Sequence, residues 1–257
     1  MSGLGASMLI EVGHVEAIFR YPVKSMAGER LEVANLGWYG LEGDRRLAFR
    51  RIQDRSGMPW LTASKLPDLL RFAPQRREDG AQGGLPTHIR TPDGDEMPVF
   101  GEELAKEVGR RHGAPVEMIQ LRHGIFDEAC VSVIASDTVR EIGRLAGRGL
   151  DIRRFRPNVV VRLRRPVPFQ EDEWLGGVLS FGDGDDAPAI AVTMRDERCS
   201  MVNLDPDSAD SAPEVMKAVV HANQNNAGIY GAVTTTGRLA VGQTIFLCAV
   251  TEKRERG

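Results

Sequence analysis

From Val15 onward apolar residues alternate with polar or charged ones, with Val15, Ala17, Phe19 and Tyr21 on every second position until Pro22 ends the run. That period of two predicts a half-buried strand. Leu31, Val33 and Leu36, then Leu47 and Phe49, predict further short strands, separated by Gly37, Gly40 and Gly43 and followed by an Asp54-Arg55-Ser56-Gly57 turn. A single helical turn is expected over residues 66–70, and helical spacing appears at 102–111. A further helix should start after Ser136, with Asp137 in its first turn and Val139, Ile142, Leu145 and Ala146 along one face. Another should follow Ser211, with Pro213 near its first position and Met216, Val219 and Val220 facing inward. The strand signal returns at 158–163, 189–193, 229–234 and 244–250, with Gly237-Arg238 as a turn before the last strands. Residues 76–95, rich in glycine, proline and charge, read as an exposed connection with at most a short strand at 87–91. Helices are few and strands short, so the expected fold class is mainly β with α, an α+β arrangement with at least one barrel.

Composition changes this picture little. A chain of 257 residues, 42% hydrophobic and 27% charged, is an ordinary globular sequence with room for one large domain or two smaller ones. The net charge of -3 points to no partner by itself, and acidic pairs scattered among the arginine clusters argue against a general nucleic-acid surface. No run approaches the length of a membrane span, and residues 1–6 lack the pattern of a signal peptide, so no membrane association and a cytoplasmic location are expected.

The cysteines narrow the chemistry. Cys130, Cys199 and Cys248 are odd in number and widely spaced, which excludes a disulfide framework and an all-cysteine iron–sulfur cluster carried by this chain alone. Cys130 and Cys248 lie in apolar stretches and read as core. Cys199 differs, with Arg195 and Arg198 before it and an Asp205-Pro206-Asp207 turn after it. A thiolate is a nucleophile and a soft metal ligand, and neighbouring guanidinium charge favours it.

Other groups suit an anion. Lys24-Ser25 closes the first strand with a cation beside a hydroxyl, and Arg45 follows a glycine turn at Gly43-Asp44. Arg154-Phe155-Arg156-Pro157-Asn158 places two arginines just before an apolar strand, and Phe169 to Trp174 adds carboxylates between aromatics. Each is also what an ordinary exposed turn looks like.

Taken in order, these segments resemble the MOSC family, named for the C-terminal domain of molybdenum cofactor sulfurases. Tyr21 to Ser25 with Asp44-Arg45 resembles its amino-terminal β-barrel domain. Arg154 to Asn158, Phe169 with Glu171-Asp172 and Trp174, Arg198-Cys199 and Asp205-Pro206-Asp207 resemble the MOSC domain itself. The resemblance implies an N-terminal barrel domain over 8–120, a MOSC barrel domain with a few peripheral helices over 121–251, and a charged tail at 252–257. It also implies a molybdenum cofactor, with Cys199 as ligand to the metal or carrier of a transferable sulfur. Lys24, Ser25 and Arg45 would hold the phosphate and pterin end, while Arg156, Asn158 and Arg198 would line the cofactor and Ser136 would add a further contact.

Among relatives, the amidoxime-reducing proteins suggest an oxidoreductase acting on a small N-hydroxylated substrate, with electrons from a separate reductase or ferredoxin-like protein. The alternatives are a persulfide-carrying sulfurtransferase and a non-catalytic cofactor carrier. Pyridoxal phosphate is not expected, since Lys24 has no accompanying machinery for it. Three departures stand out: Ser208-Ala209 where the family often has Thr-Gly, two carboxylates at Asp196-Glu197 that should oppose the arginines' effect on the thiol, and Gly228-Ile229-Tyr230-Gly231 without the family's phenylalanine.

Overall fold

A computed structural model describes residues 9–76, 84–126 and 128–248. The strand expected at the start is longer than its alternating core, running as β1 over Leu9–Arg20. After it come β2 (Glu29–Leu31), β3 (Val33–Gly37), β4 (Gly40–Leu41), β5 (Leu47–Arg51), β6 (Ala73–Gln75), β7 (His88–Arg90), β8 (Glu96–Pro98), helix α1 (Glu102–His112) and β9 (Val116–Gln120). The second half runs β10 (Val131–Ala135), α2 (Ser136–Leu145), β11 (Val159–Leu163), β12 (Val178–Phe181), β13 (Ala189–Glu197), α3 (Pro213–Asn223), β14 (Asn226–Thr235), β15 (Gly237–Ala240) and β16 (Thr244–Cys248).

Seven strands close a barrel in the order β1-β11-β10-β14-β13-β12-β16, with β16 returning to β1. Closure removes the free strand edges that would otherwise invite pairing with another chain. Only β10 and β11 run parallel among these neighbours, because α2 forms the crossover between them. Valines, isoleucines and leucines from every strand fill the interior, with Trp174 and Phe181 among the bulkiest. Close backbone approach at β1 needs a glycine: a Cβ on Gly13 would lie 2.1 Å from the Arg162 carbonyl oxygen. Among the described residues the fold is mostly β with three α-helices and a closed barrel, as expected from the sequence.

A second core forms from early residues, where β5 pairs with β9 and β6 to β8 make a small sheet under α1. α1 is polarised to suit its dipole, with Glu102 and Glu103 in the first turn, Arg110, Arg111 and His112 in the last, and a left-handed Gly113 ending it. Strand partners cross residue 120 in both directions: β1 closes the barrel with late strands, and β15 pairs with β3. A third core lies between α2, α3 and the barrel's outer face.

Several local expectations are corrected. Ser136 is the first residue of α2 rather than its cap, and its buried hydroxyl has no hydrogen-bond partner. The buried Glu171 braces this end of the helix, accepting from Ala135 N at 3.2 Å and Thr138 Oγ1 at 2.9 Å. On α3 the inward face is Val215, Ala218 and Val219, at helical spacings of three and four, while Val220 lies about a further third of a turn round and is half exposed. Leu145 also reaches solvent at the end of α2. Gly237-Arg238 is strand rather than turn: a Cβ at Gly237 would meet Pro188 Cγ at 2.8 Å, so glycine here serves close packing. Cys130 and Cys248 are only partly buried. The expected charged tail lies outside the described residues.

Candidate functional site

Two structures meet at one cleft. The first is a cluster of cations around the end of β1. Tyr21 N donates to Asp44 Oδ1 at 2.7 Å, and Arg45 N donates to the Tyr21 carbonyl at 2.7 Å, so the Gly43 turn is latched to the strand end. Asp44 is buried and forms an ion pair with Arg45. Burial works against the Arg45 charge, but Asp44 outweighs it and the guanidinium pKa is raised. Arg45 Nη2 donates to the Arg156 carbonyl at 3.0 Å, and Arg156 Nη1 to the Met26 carbonyl at 2.8 Å. Both guanidiniums lie against the Tyr21 ring, with their carbons 5.0 Å and 4.1 Å from its centroid. Burial pushes the Tyr21 phenol up to about 12, although both arginines pull it down.

Ser25, Arg45 and Arg156 all have left-handed backbones, with φ of 65°, 49° and 49°. Such a conformation costs a non-glycine residue about 1–3 kcal/mol and persists only where the surroundings enforce it. All three positions border one cleft.

Opposite lies the Cys199 loop. Cys199 is exposed and precedes a single 3-10 turn over Ser200–Asn203. The arginines beside it in sequence have partners of their own. Arg198 is buried, donating to the Ala227 carbonyl through Nε at 2.7 Å and to the Phe155 carbonyl through Nη1 at 2.7 Å, and pairing with Asp196 at 2.7 Å. Asp196 also accepts from Ser132 Oγ at 2.8 Å. Arg195 lies 3.6 Å from Asp172. The expected contest between arginines and carboxylates over the thiol is therefore resolved as an internal ion pair at Asp196–Arg198, while Glu197 accepts from Asn225. A Cβ on Gly228 would sit 2.6 Å from the Val133 carbonyl oxygen and 3.1 Å from Arg198 Nη2, so the glycine gives this guanidinium its room.

The Asp205 turn fastens the loop from the other side. Arg154 donates to the Asn203 carbonyl at 2.8 Å and to Asp205 Oδ2 at 2.7 Å, while Arg153 forks onto Asp207. Burial alone would raise the Asp205 pKa, but backbone donors from Ser208 and Asp207 and the charge of Arg154 bring it below the ordinary value. Leu204 forms a small cluster of its own with Ala63 and Leu70 from the first half of the chain, which ties the loop to that half.

The cleft between them has a volume of about 860 Å³, near the upper end of ordinary ligand sites. Of the residues singled out from sequence, Lys24, Ser25, Arg45, Arg156, Arg198 and Cys199 border it. Asn158 does not; it is a buried strut, donating to Asp44 Oδ2 at 3.1 Å and accepting from Ser132 N at 3.1 Å. Ser136 lies away from it, beside Glu171 at the start of α2. Tyr230 of the Gly228-to-Gly231 segment borders the cavity too, and Met58, Trp60, Lys65 and Met194 do so without having been singled out. Among the described residues no group of three or more His, Cys, Asp and Glu side chains could hold a metal ion. A metal here would bring most of its ligands with it.

Comparison with known families decides the assignment. The MOSC domain family matches residues 109–246, and the MOSC N-terminal beta barrel domain matches residues 12–123. The chain belongs to the MOSC family. MOSC domains are associated with proteins that bind the molybdenum cofactor. The solved structure of the YuaD protein from Bacillus subtilis is 14% identical over 93% of this chain and 98% of that one, with a TM-score of 0.50, a likeness of fold alone. YiiM from Geobacillus stearothermophilus is 18% identical over 47% of this chain and 54% of its own, with a TM-score of 0.37. No curated protein matched the chain. Against the MOSC pattern, Ala209 takes a left-handed backbone with φ of 64° where the family often has glycine, and the turn closes all the same. Among the described residues no helix is long and apolar enough to cross a membrane.

Proposed function

We propose that this MOSC protein binds a molybdenum cofactor in the cleft and reduces small N-hydroxylated compounds, with electrons from a separate reductase or ferredoxin-like protein. One observation carries the reading: a preformed cationic cradle and an exposed thiol open onto the same cavity. The residues suit the cofactor's chemistry. Arg45 and Arg156 are fixed forks for a phosphate, Lys24 and Ser25 add a point charge and a hydroxyl, and the Cys199 thiolate is a soft ligand for the metal. When bound, the cofactor supplies the two-electron chemistry by which N–OH, two electrons and two protons become N–H and water. The chain's part is to hold the phosphate end, orient the metal by its thiolate and shape the space beside it. Arg198 acts by position, pinning the end of β13 so that Cys199 stands at the cavity.

Protein from a cofactor-competent host should contain molybdenum and pterin near stoichiometry, and should turn over an amidoxime when given an electron donor. Arg45→Ala and Arg156→Ala should lower pterin content. Absence of both molybdenum and pterin from the wild-type protein overturns the proposal. The exposure of Cys199 also suits a persulfide. Mass spectrometry after incubation with a cysteine desulfurase separates the two, since a stable added sulfur on Cys199 without bound metal favours sulfur transfer. Bound cofactor without turnover would leave a carrier.

A further inference from the structure

The cation cradle and Cys199 account for only part of the cavity lining. Met58 and Trp60 enter from the segment after β5, Met194 from β13, and Met201 from the short turn after Cys199. Met58 and Met194 leave 45% and 41% of their surfaces exposed, so both thioethers are open to a ligand in the cavity. Trp60 is anchored by its backbone. It bridges Arg50 of β5, with Arg51 N donating to the Pro59 carbonyl at 2.9 Å on one side and Leu61 N to the Phe49 carbonyl at 2.8 Å on the other. Leu61 is fully buried in the early core, so the indole hangs from a fixed rail. Methionines with three rotatable bonds adapt their shape, whereas an indole offers a flat rigid face. Lys65, Glu128 and Glu197 also border the cavity, but their signs are mixed and favour neither an anion nor a cation.

We propose that Trp60, with Met58, Met194 and Met201, is the specificity wall of this site, and that its substrates carry a flat, uncharged aromatic group beside the reacting centre. This rests on the reading of the cleft as a reductase of N-hydroxylated compounds. A fixed aromatic face gives the ring a stacking partner, while the thioethers fit around its edges and tolerate substituents. The expected behaviour is a clear preference for rings over alkyl groups combined with loose discrimination among rings.

The test uses benzamidoxime and acetamidoxime, which carry the same N-hydroxylated group on a ring and on a methyl. Calorimetric titration of cofactor-loaded protein should show benzamidoxime binding about tenfold more tightly. Trp60→Ala should reduce that ratio to about two, Trp60→Phe should keep most of it, and molybdenum and pterin content should stay at the wild-type level. An unchanged ratio in folded, loaded Trp60→Ala overturns the wall, as does equal affinity for the two oximes in the wild type. If Trp60→Ala loses its cofactor, Met58→Ser and Met194→Ser at the exposed positions carry the same measurement, and an unchanged ratio in both overturns it. The two proposals fail separately. Ring preference without metal or turnover sinks the reductase and leaves the wall, whereas turnover of both oximes with no dependence on Trp60 sinks the wall alone.

Discussion

The two sides of the cleft are built on opposite principles. Around Tyr21 the chain interlocks: Asp44 binds Tyr21, Arg45 and Asn158, Arg45 binds Arg156, and three non-glycine residues hold left-handed backbones. Across the cavity, Cys199 is an exposed side chain on a short loop whose flanks alone are fixed, by Arg198 before it and by Arg154 on Asp205 after it. One side is rigid before any ligand arrives, which lowers the ordering cost of binding a charged group. The other presents one reactive atom and keeps its neighbours out of the way. The comparison predicts that substitutions on the first side are felt as stability, while those at the tip of the second are felt as function.

The sharpest way to break it is Cys199→Ala. Turnover of an N-hydroxylated substrate should fall to background, and the unfolding free energy from urea titration should change by no more than about 0.5 kcal/mol, as for an exposed position. Normal turnover would remove the thiol from the chemistry. Asp44→Ala should do the reverse. It leaves the Arg45 guanidinium and the Tyr21 amide without their buried partner, at a cost of about 3–5 kcal/mol in urea unfolding. Asp44→Asn keeps an acceptor for the amide and should cost less.

Away from the cleft, at the start of α2, stands the buried Glu171, and pH tests it. Burial raises its pKa to about 7, against hydrogen bonds from backbone and Thr138 that lower it. A carboxyl raised above its unfolded value of 4.5 holds its proton more tightly when folded, so its contribution to stability is complete below about pH 4.5. That contribution disappears as pH climbs to about 7, a change of about 3 kcal/mol. Urea unfolding of wild type and Glu171→Gln at pH 4.5, 6 and 8 should show the wild type losing ground to the variant across that window and no further above it. A constant difference would mean that Glu171 titrates normally. Smaller still is Tyr21. Its buried hydroxyl has no hydrogen-bond partner, so Tyr21→Phe should be neutral or stabilise by up to about 1 kcal/mol. Tyr21→Leu removes the ring that both guanidiniums pack against and should cost about 1–2 kcal/mol together with pterin content.

How much of this was legible beforehand follows from what sequence encodes. Local patterns did: the alternation in β1, the polar ends of α1, the glycine turn before Arg45 and the thiol between charged neighbours are each visible within a few residues. What stayed hidden is pairing at a distance. Nothing local to β1 says that it closes a barrel with strands more than a hundred residues away, and nothing in Gly237 distinguishes a turn from a strand glycine pressed on Pro188. Residue type also hid direction. Arg198 and Asn158 look like ligand-facing groups, yet their hydrogen bonds point into the protein, and the neighbours that satisfy them, Ala227, Phe155, Asp44 and Ser132, lie far off in sequence. Trp60 was missed because a lone aromatic after a turn reads as core, and only the rail along β5 sets it beside the cavity.

The smallest effect bears on how the thiol loop is fastened. Ala209 sits at φ 64°, and its amide donates to the Asp205 carbonyl at 2.9 Å to close the turn that receives Arg154. An L side chain in that conformation is strained by about 1–2 kcal/mol, and glycine relieves the strain while giving back part of it through a more flexible unfolded chain. Ala209→Gly should therefore stabilise by about 0.5–1 kcal/mol, raising Tm by about 2 °C. If the turn serves only to fasten the loop, turnover and cofactor content should not change with it. Should turnover change while stability rises as expected, the strain at Ala209 reaches Cys199, and the thiol side would be as preorganised as the cation side that it was contrasted with.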